Sequence, residues 1–328
     1  MFRFVCFFIL AGLFLAGCSG AEAENSLLRQ PPFAALTDSI GDAPDNPGLY
    51  YRRGVLLYRN GQPALAQADL QRAWSLEPRE EFALSLTTLL REKSPDSALQ
   101  FLRGATQKIP GSLALQVGLA RGYQQKGDGG AALRIADTII ARYPGQLDAL
   151  QLRAELLRTA GRDGDALRTL EQAYRYAPSD AELAHNLAFA YAEANHPKAL
   201  QLADSLIKAD VRGQHAEPYY FKGVYFANTG QAARALAEFD EAIRRDYNFL
   251  DAHMDKGRLL LEQKKAKEAL QAFQLAARIT PTYGDAYFWT GKAQEALNQP
   301  AEAKLNYQRA YELDKSMTEA RQAAERIR

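Results

Sequence analysis

Cysteine is almost absent from this chain. Its two copies, Cys6 and Cys18, both stand at the very start. The rest has no thiol, which excludes disulfides and cysteine-built metal centres. Histidine is scarce as well, with His185, His196, His215 and His253 far apart. No two share the close helical spacing that builds a metal site, so neither a metal nor a cofactor is expected. Neither sign of charge dominates, with 40 Lys plus Arg against 39 Asp plus Glu. A binder of phosphate backbones needs concentrated positive charge, so nucleic acid is not an expected partner. No apolar run after Leu15 approaches the ~20 residues that span a bilayer. Catalytic signatures are missing too. Gly127-Asp128-Gly129-Gly130 lacks the Lys-Ser/Thr and the preceding strand of a phosphate loop, and no Gly-x-Ser-x-Gly elbow occurs. Carboxylates are scattered over solvent-facing helix positions. The chain is not expected to be an enzyme.

What the chain does contain is a repeat. Pro44, Pro78, Pro110, Pro144 and Pro178 recur at steps of 34, 32, 34 and 34 residues. Ala66, Ala98, Ala132 and Ala166 precede the last four prolines by twelve residues each. A fixed period near 34 marks helix pairs that must stack, because no single pair can bury its own apolar face. Small residues recur where paired helices must approach closely, and larger ones fill the gap beside them. The first repeat reads Gly54, Ala66, Leu70, Ala73 and Pro78. The sixth reads Gly223, Ala235, Phe239 and Ala242, and the seventh Gly257, Ala269, Phe273, Ala276 and Pro281. The eighth reads Gly291, Ala303, Tyr307 and Ala310. Turns within pairs carry helix breakers, as in Asn60-Gly61, Lys126-Gly127-Asp128 and Thr229-Gly230.

Over residues 47 to 315 this pattern resembles the tetratricopeptide repeat family. The resemblance implies an all-α fold, a right-handed α-α superhelical solenoid of about eight helix pairs. Phe33 to Ile40 reads as a half-repeat cap, and Met317 to Ile327 as a C-terminal capping helix. The second repeat departs from the pattern with no small residue in its first helix and a short Lys93-Ser94-Pro95 turn. The fifth ends Lys208-Ala209-Asp210 without proline and is followed by an extra loop, Val211 to His215. A kink is expected there, between an N-terminal array over 33–210 and a C-terminal array over 216–328.

The N-terminus carries an address. One charge at Arg3, a short apolar stretch from Phe4 to Leu15 and then Leu15-Ala16-Gly17-Cys18 describe a secretory signal. The ending resembles the lipobox of bacterial lipoproteins, which implies a signal peptide over 1–17 and lipidation of Cys18. A plain secretory signal, or an uncleaved anchor with a chance cysteine, is the alternative. Acyl chains bury methylenes in the membrane at ~0.8 kcal/mol each, and more than one chain is needed for stable anchoring. Ser19 in place of aspartate favours the outer membrane, with the periplasmic face preferred over the cell surface. Residues 18–32 are small and polar, ending in Gln30-Pro31-Pro32, and read as a flexible tether.

The resemblance implies a concave surface lined by the first helices. The candidate lining in the first repeat is Tyr51, Val55 and Tyr58. The middle repeats offer Arg121, Gln124, Gln151, Glu155 and Arg158. The later repeats offer His185, Phe189, Tyr220, Val224, Met254, Arg258, Phe288 and Lys292. Aromatics beside Arg and Met are common anchors of protein interfaces. Such a groove suits an extended peptide or a helix of a protein partner. The Lys and Asn clamp that grips a terminal carboxylate in chaperone-binding relatives is absent, since its places hold Tyr51 and Val55. The expected function is a membrane-anchored scaffold or adaptor that supports assembly of an envelope complex. The alternative is a glycan-handling module in polysaccharide export or cell-wall metabolism.

Overall fold

The computed structural model describes residues 26–327, and every described element is a helix. The signal peptide and Cys18 lie outside the described residues. Contacts divide the chain into two units, Met1–Leu156 and Leu157–Arg328. In unit 1 the helices are α1 (Ala34–Asp42), α2 (Pro47–Arg59), α3 (Pro63–Leu76), α4 (Glu80–Lys93), α5 (Pro95–Lys108), α6 (Leu113–Gln125) and α7 (Gly129–Arg142). The next, α8 (Leu147–Thr159), crosses the division. Unit 2 holds α9 (Asp163–Tyr176), α10 (Ala181–Glu193), α11 (Lys198–Ala209), α12 (Glu217–Asn228), α13 (Ala232–Arg245), α14 (Leu250–Glu262), α15 (Ala266–Ile279), α16 (Gly284–Ala296), α17 (Pro300–Leu313) and α18 (Thr318–Arg326). Among the described residues no helix is long and apolar enough to cross a membrane.

Local chemistry sets where the helices begin. Asn46 accepts from the Gly48 N–H at the start of α2, with Pro47 in the first helical position. Ser94, Ser112, Asp128 and Asp180 cap α5, α6, α7 and α10 in the same manner. Each side chain satisfies an N–H that the helix leaves unpaired. The turn inside a pair passes through a left-handed residue. Gly61, Gly127, Gly161 and Gly230 supply it in four repeats, and Asn195, Lys264 and Asn298 in three others. The short Lys93-Ser94-Pro95 turn does without one, because Ser94 both ends α4 and caps α5.

Within each unit a helix packs on those before and after it. First helices of successive repeats also touch, α4 on α6 in unit 1, and α10 on α12, α12 on α14 and α14 on α16 in unit 2. The core of unit 1 is mainly aliphatic, built on Leu57, Leu70, Leu86, Leu89, Leu115 and Ile139. That of unit 2 is rich in rings, including Phe221, Phe226, Phe239, Phe273 and Tyr307. The recurring glycines face the residues that fill these cores. A methyl group on Gly257 would sit 2.5 Å from the Phe273 ring, and one on Gly223 equally close to Phe239.

Unit 1 also buries charge. Arg53 on α2 grips Asp69 on α3 through two bonds, 2.7 and 2.8 Å. It also donates to the Thr37 hydroxyl on α1 at 3.1 Å, and Thr37 donates to the Leu28 carbonyl at 2.7 Å. Leu27 and Leu28 pack against the same cluster as Leu57 and Leu70. The described end of the expected tether, 26–32, is therefore docked on the array instead of standing free, because it has two leucines to bury. The cap helix expected over Phe33 to Ile40 is α1, and Thr37 ties it to α2.

The segment 211–215 lies inside unit 2. One apolar cluster runs from Leu187 through Ala199 and Ala216 to Leu259. The loop itself is pinned. The Asp210 carboxylate accepts from the His215 N–H at 2.7 Å, and Arg245 donates to the Gly213 carbonyl at 2.8 Å. At the far end α18 lays Ala320, Ala323 and Ala324 over Phe288 and Tyr307. A polar outer face on such a terminal helix keeps the last repeat from exposing its core.

Candidate binding groove

The first helices of each unit carry the candidate site. In unit 1, Tyr51 packs on Phe82 of the next repeat with ring centroids 4.8 Å apart, and its hydroxyl accepts from Ser85 at 3.3 Å. Val55 is half-buried against the core around Leu57. Tyr58 is 37% exposed and donates to Glu92. Glu92 in turn pushes the Tyr58 hydroxyl up from its ordinary value, through that hydrogen bond first. Arg121 is exposed, Gln124 donates to Glu155 at 2.7 Å, and Gln151 is half-buried. These side chains link first helices about one repeat apart, so part of the surface is already paired with itself.

In unit 2 two groups of rings are bridged by Asp255 and Arg258. Phe189 stacks on Tyr220 at 6.1 Å and touches Phe221 at 5.5 Å. The Tyr220 hydroxyl donates to Asp255 at 2.8 Å, and Arg258 lies 3.3 Å from the same carboxylate. Arg258 also sits over the Trp289 ring at 5.7 Å. Lys292 lies over Phe288 at 5.0 Å and pairs with Glu319 at 2.8 Å. Burial pushes the Asp255 carboxyl up, and Arg258 and the Tyr220 hydroxyl oppose it. Burial, with Asp255 beside it, likewise pushes Tyr220 up. Arg158 is exposed and lowers Glu193, whose carboxyl burial nevertheless raises. Val224 is half-buried against the core of the unit.

Three of the candidate lining residues are buried, Tyr220 among them. Met254 is 1% exposed and lies in a cluster with Phe273 and Ala286. Phe288 is buried against α17 and α18. Their neighbours Asp255 and Trp289 hold the half-buried places instead. Phe189, Val224 and Lys292 are half-buried and Arg258 is exposed, so the shift by one residue is confined to positions 254 and 288. Residues 221, 255 and 289 are successive copies of one position, yet Phe221 is buried, so the period alone does not single out Asp255 and Trp289.

The histidines also differ from expectation. His253 is buried, bonds the Tyr247 carbonyl at 2.8 Å, and has its pKa lowered by burial. His196 stacks on Tyr191 in a turn. His185 and His215, however, come together with Glu217, their ligand atoms within 4.8 Å of one another. No two histidines are close in sequence, yet the fold gathers these three side chains within reach of one another. Spacing along one helix cannot detect residues that stacking brings together across a 30-residue separation.

A separate cavity of about 450 Å³ lies against α9, α10 and α11. The Tyr191 hydroxyl donates to Glu171 at 2.7 Å there, and Lys198 stands 3.6 Å from the same carboxylate. Together they hold Glu171 below its ordinary value, the hydrogen bond most of all.

Comparison with known proteins agrees with this architecture. Tetratricopeptide repeat family models match residues 89–156, 220–284 and 284–317. The chain is 23% identical over 220 residues to the human antiviral innate immune response effector IFIT1, covering 66% of this chain and 43% of that protein. It is 34% identical over 101 residues to an uncharacterized protein of Haemophilus influenzae, covering 30% of this chain and 53% of that one. The chain thus spans about half the length of either relative. A tetratricopeptide repeat protein from Parabacteroides merdae superposes with a TM-score of 0.57 at 14% identity, over 85% of this chain and 97% of that one. PilW, described as a type IV pilus biogenesis factor, gives 0.53 at 18% identity, over 65% and 97%. This chain is a tetratricopeptide repeat protein.

Proposed function

We propose that the chain is a lipid-anchored adaptor of a bacterial cell envelope. It is held through Cys18 in the outer membrane, with its body on the periplasmic side, and binds a protein partner by the first-helix surface of unit 2. The observation that carries this reading is the row Phe189, Asp255, Arg258 and Trp289 along the first helices, backed by the buried Tyr220, with rings, a carboxylate and a guanidinium reaching the surface. Such a row offers anchors at regular intervals to an extended segment or a helix, which is how interfaces concentrate their binding energy. The partner belongs to an envelope complex that the adaptor helps to assemble. Proteins of this fold are typically scaffolds without catalysis.

The test uses crosslinking in living cells, followed by purification of the tagged protein. Tyr220 and Phe288 are too buried to probe the surface, so the variant is Phe189→Ser with Arg258→Glu. A specific protein captured with the native chain and lost with the variant is the expected result. An unchanged set of captured proteins overturns the groove, and retention of polysaccharide alone moves the reading to glycan handling. Cys18→Ser tests the anchor separately. The variant is expected in the soluble fraction, and membrane retention equal to the native chain would sink lipidation.

A further inference from the structure

The extra loop has a consequence for chemistry. It brings His215 beside His185, with Glu217 opening the helix that follows, α12. His185 stands on α10, the first helix of the fifth repeat. Its Nδ1–H donates to the Ala181 carbonyl at 2.7 Å, the bond to the preceding turn of its own helix. That bond fixes the neutral ring in the tautomer whose Nε2 carries a lone pair. Metal-binding histidines are commonly oriented in this way, with the second nitrogen bonded to a carbonyl. The His185 and His215 rings lie 5.9 Å apart, and His215 Nδ1 is 3.9 Å from a Glu217 oxygen.

We propose that His185, His215 and Glu217 form a binding site for a divalent transition-metal ion of the zinc class. Two imidazoles and one carboxylate are a donor set that suits zinc and neighbouring first-row ions. Bond lengths near 2.0–2.2 Å would require the three ligand atoms to close from within 4.8 Å to roughly 3.5 Å of one another. His215 and Glu217 are exposed and can rotate to do so. The loop backbone that carries His215 is held by Asp210 at the His215 N–H and by Arg245 at the Gly213 carbonyl. Three protein ligands leave a fourth position for water. Phe221 lies edge-on to the His185 ring at 6.1 Å, giving the site one apolar wall.

His185 is also a candidate groove residue, but metal binding is measured on the chain alone with no groove partner present, so this test and that of the adaptor reading can fail separately. The full chain is purified without a polyhistidine tag, stripped with a chelator, and titrated with Zn2+ in a calorimeter. Co2+ is added to a second sample and read by its visible absorption bands. The expected result is one Zn2+ per chain, with cobalt bands typical of nitrogen and oxygen ligands. Binding is lost in His185→Gln, in His215→Gln and in Glu217→Gln, and kept in His196→Gln. Circular dichroism and melting of the variants without metal check that each retains the fold. No stoichiometric binding by the native chain overturns the proposal. So does binding that survives all three substitutions, which marks an adventitious ion only.

Discussion

In unit 1 the side chain facing Gly54 is Leu70, whereas in unit 2 those facing Gly223, Gly257 and Gly291 are Phe239, Phe273 and Tyr307. The helix pairs are the same, and the filling differs. A leucine is branched and can turn aside. A flat ring against a helix has one resting place, and only glycine leaves room for it. Ring pairs in unit 1 are Tyr51–Phe82 and Trp74–Phe101 among the described residues. In unit 2 rings run in chains, from Phe189 through Tyr220 to Phe249, and from Phe273 through Trp289 to Phe288 and Tyr307. Unit 1 has instead the buried Arg53–Asp69 pair joined to Thr37. One unit fixes its geometry by shape, and the other adds a buried polar tie between its cap and its first repeat.

The sharpest way to break this comparison is to cut that tie. Arg53→Leu leaves a buried carboxylate without its partner, and such a loss costs about 3–5 kcal/mol. Arg53→Leu with Asp69→Leu removes both charges and is expected to recover most of that cost. Chemical denaturation gives the totals, and amide exchange by mass spectrometry locates the loss in α1 to α3. If the single variant costs under ~1 kcal/mol, well below what breaking a buried pair should cost, the tie is not what secures unit 1.

A smaller effect separates the two fillings. Gly257→Ala drives a methyl into the Phe273 ring and is expected to cost about 1–3 kcal/mol, the range for an overpacked core. Gly118→Ala in unit 1 meets Leu102 at 3.6 Å, an ordinary contact. There the gain in helix propensity should dominate, stabilising by about 0.5–1 kcal/mol. Effects of equal sign at the two sites would erase the contrast.

Much of this was legible beforehand, because the cause is periodic. The proline and alanine steps mark the pairs, and the glycine sixteen residues before a leucine or ring marks the crossing. The cap read as Phe33 to Ile40 is the helix Ala34–Asp42. What stayed hidden depends on phase or on neighbours far apart in the chain. Nothing in the period says that position 255 and not 254 faces outward. The Arg53–Asp69 pair and the His185–His215–Glu217 cluster join residues on different helices, where local spacing carries no information. The division between Leu156 and Leu157 falls inside a helix, with no change of composition to announce it.

The way each helix touches only its near neighbours along the chain gives either unit the character of a spring. Load applied to the ends of a unit passes through every pair interface in series, so the weakest yields first and the others hold. Each pair that lets go pays out its own 34 residues, about 115 Å of extended chain. Stretching single molecules should therefore give a train of evenly spaced steps of that length. A single long rupture would mean that the pairs of a unit give way together.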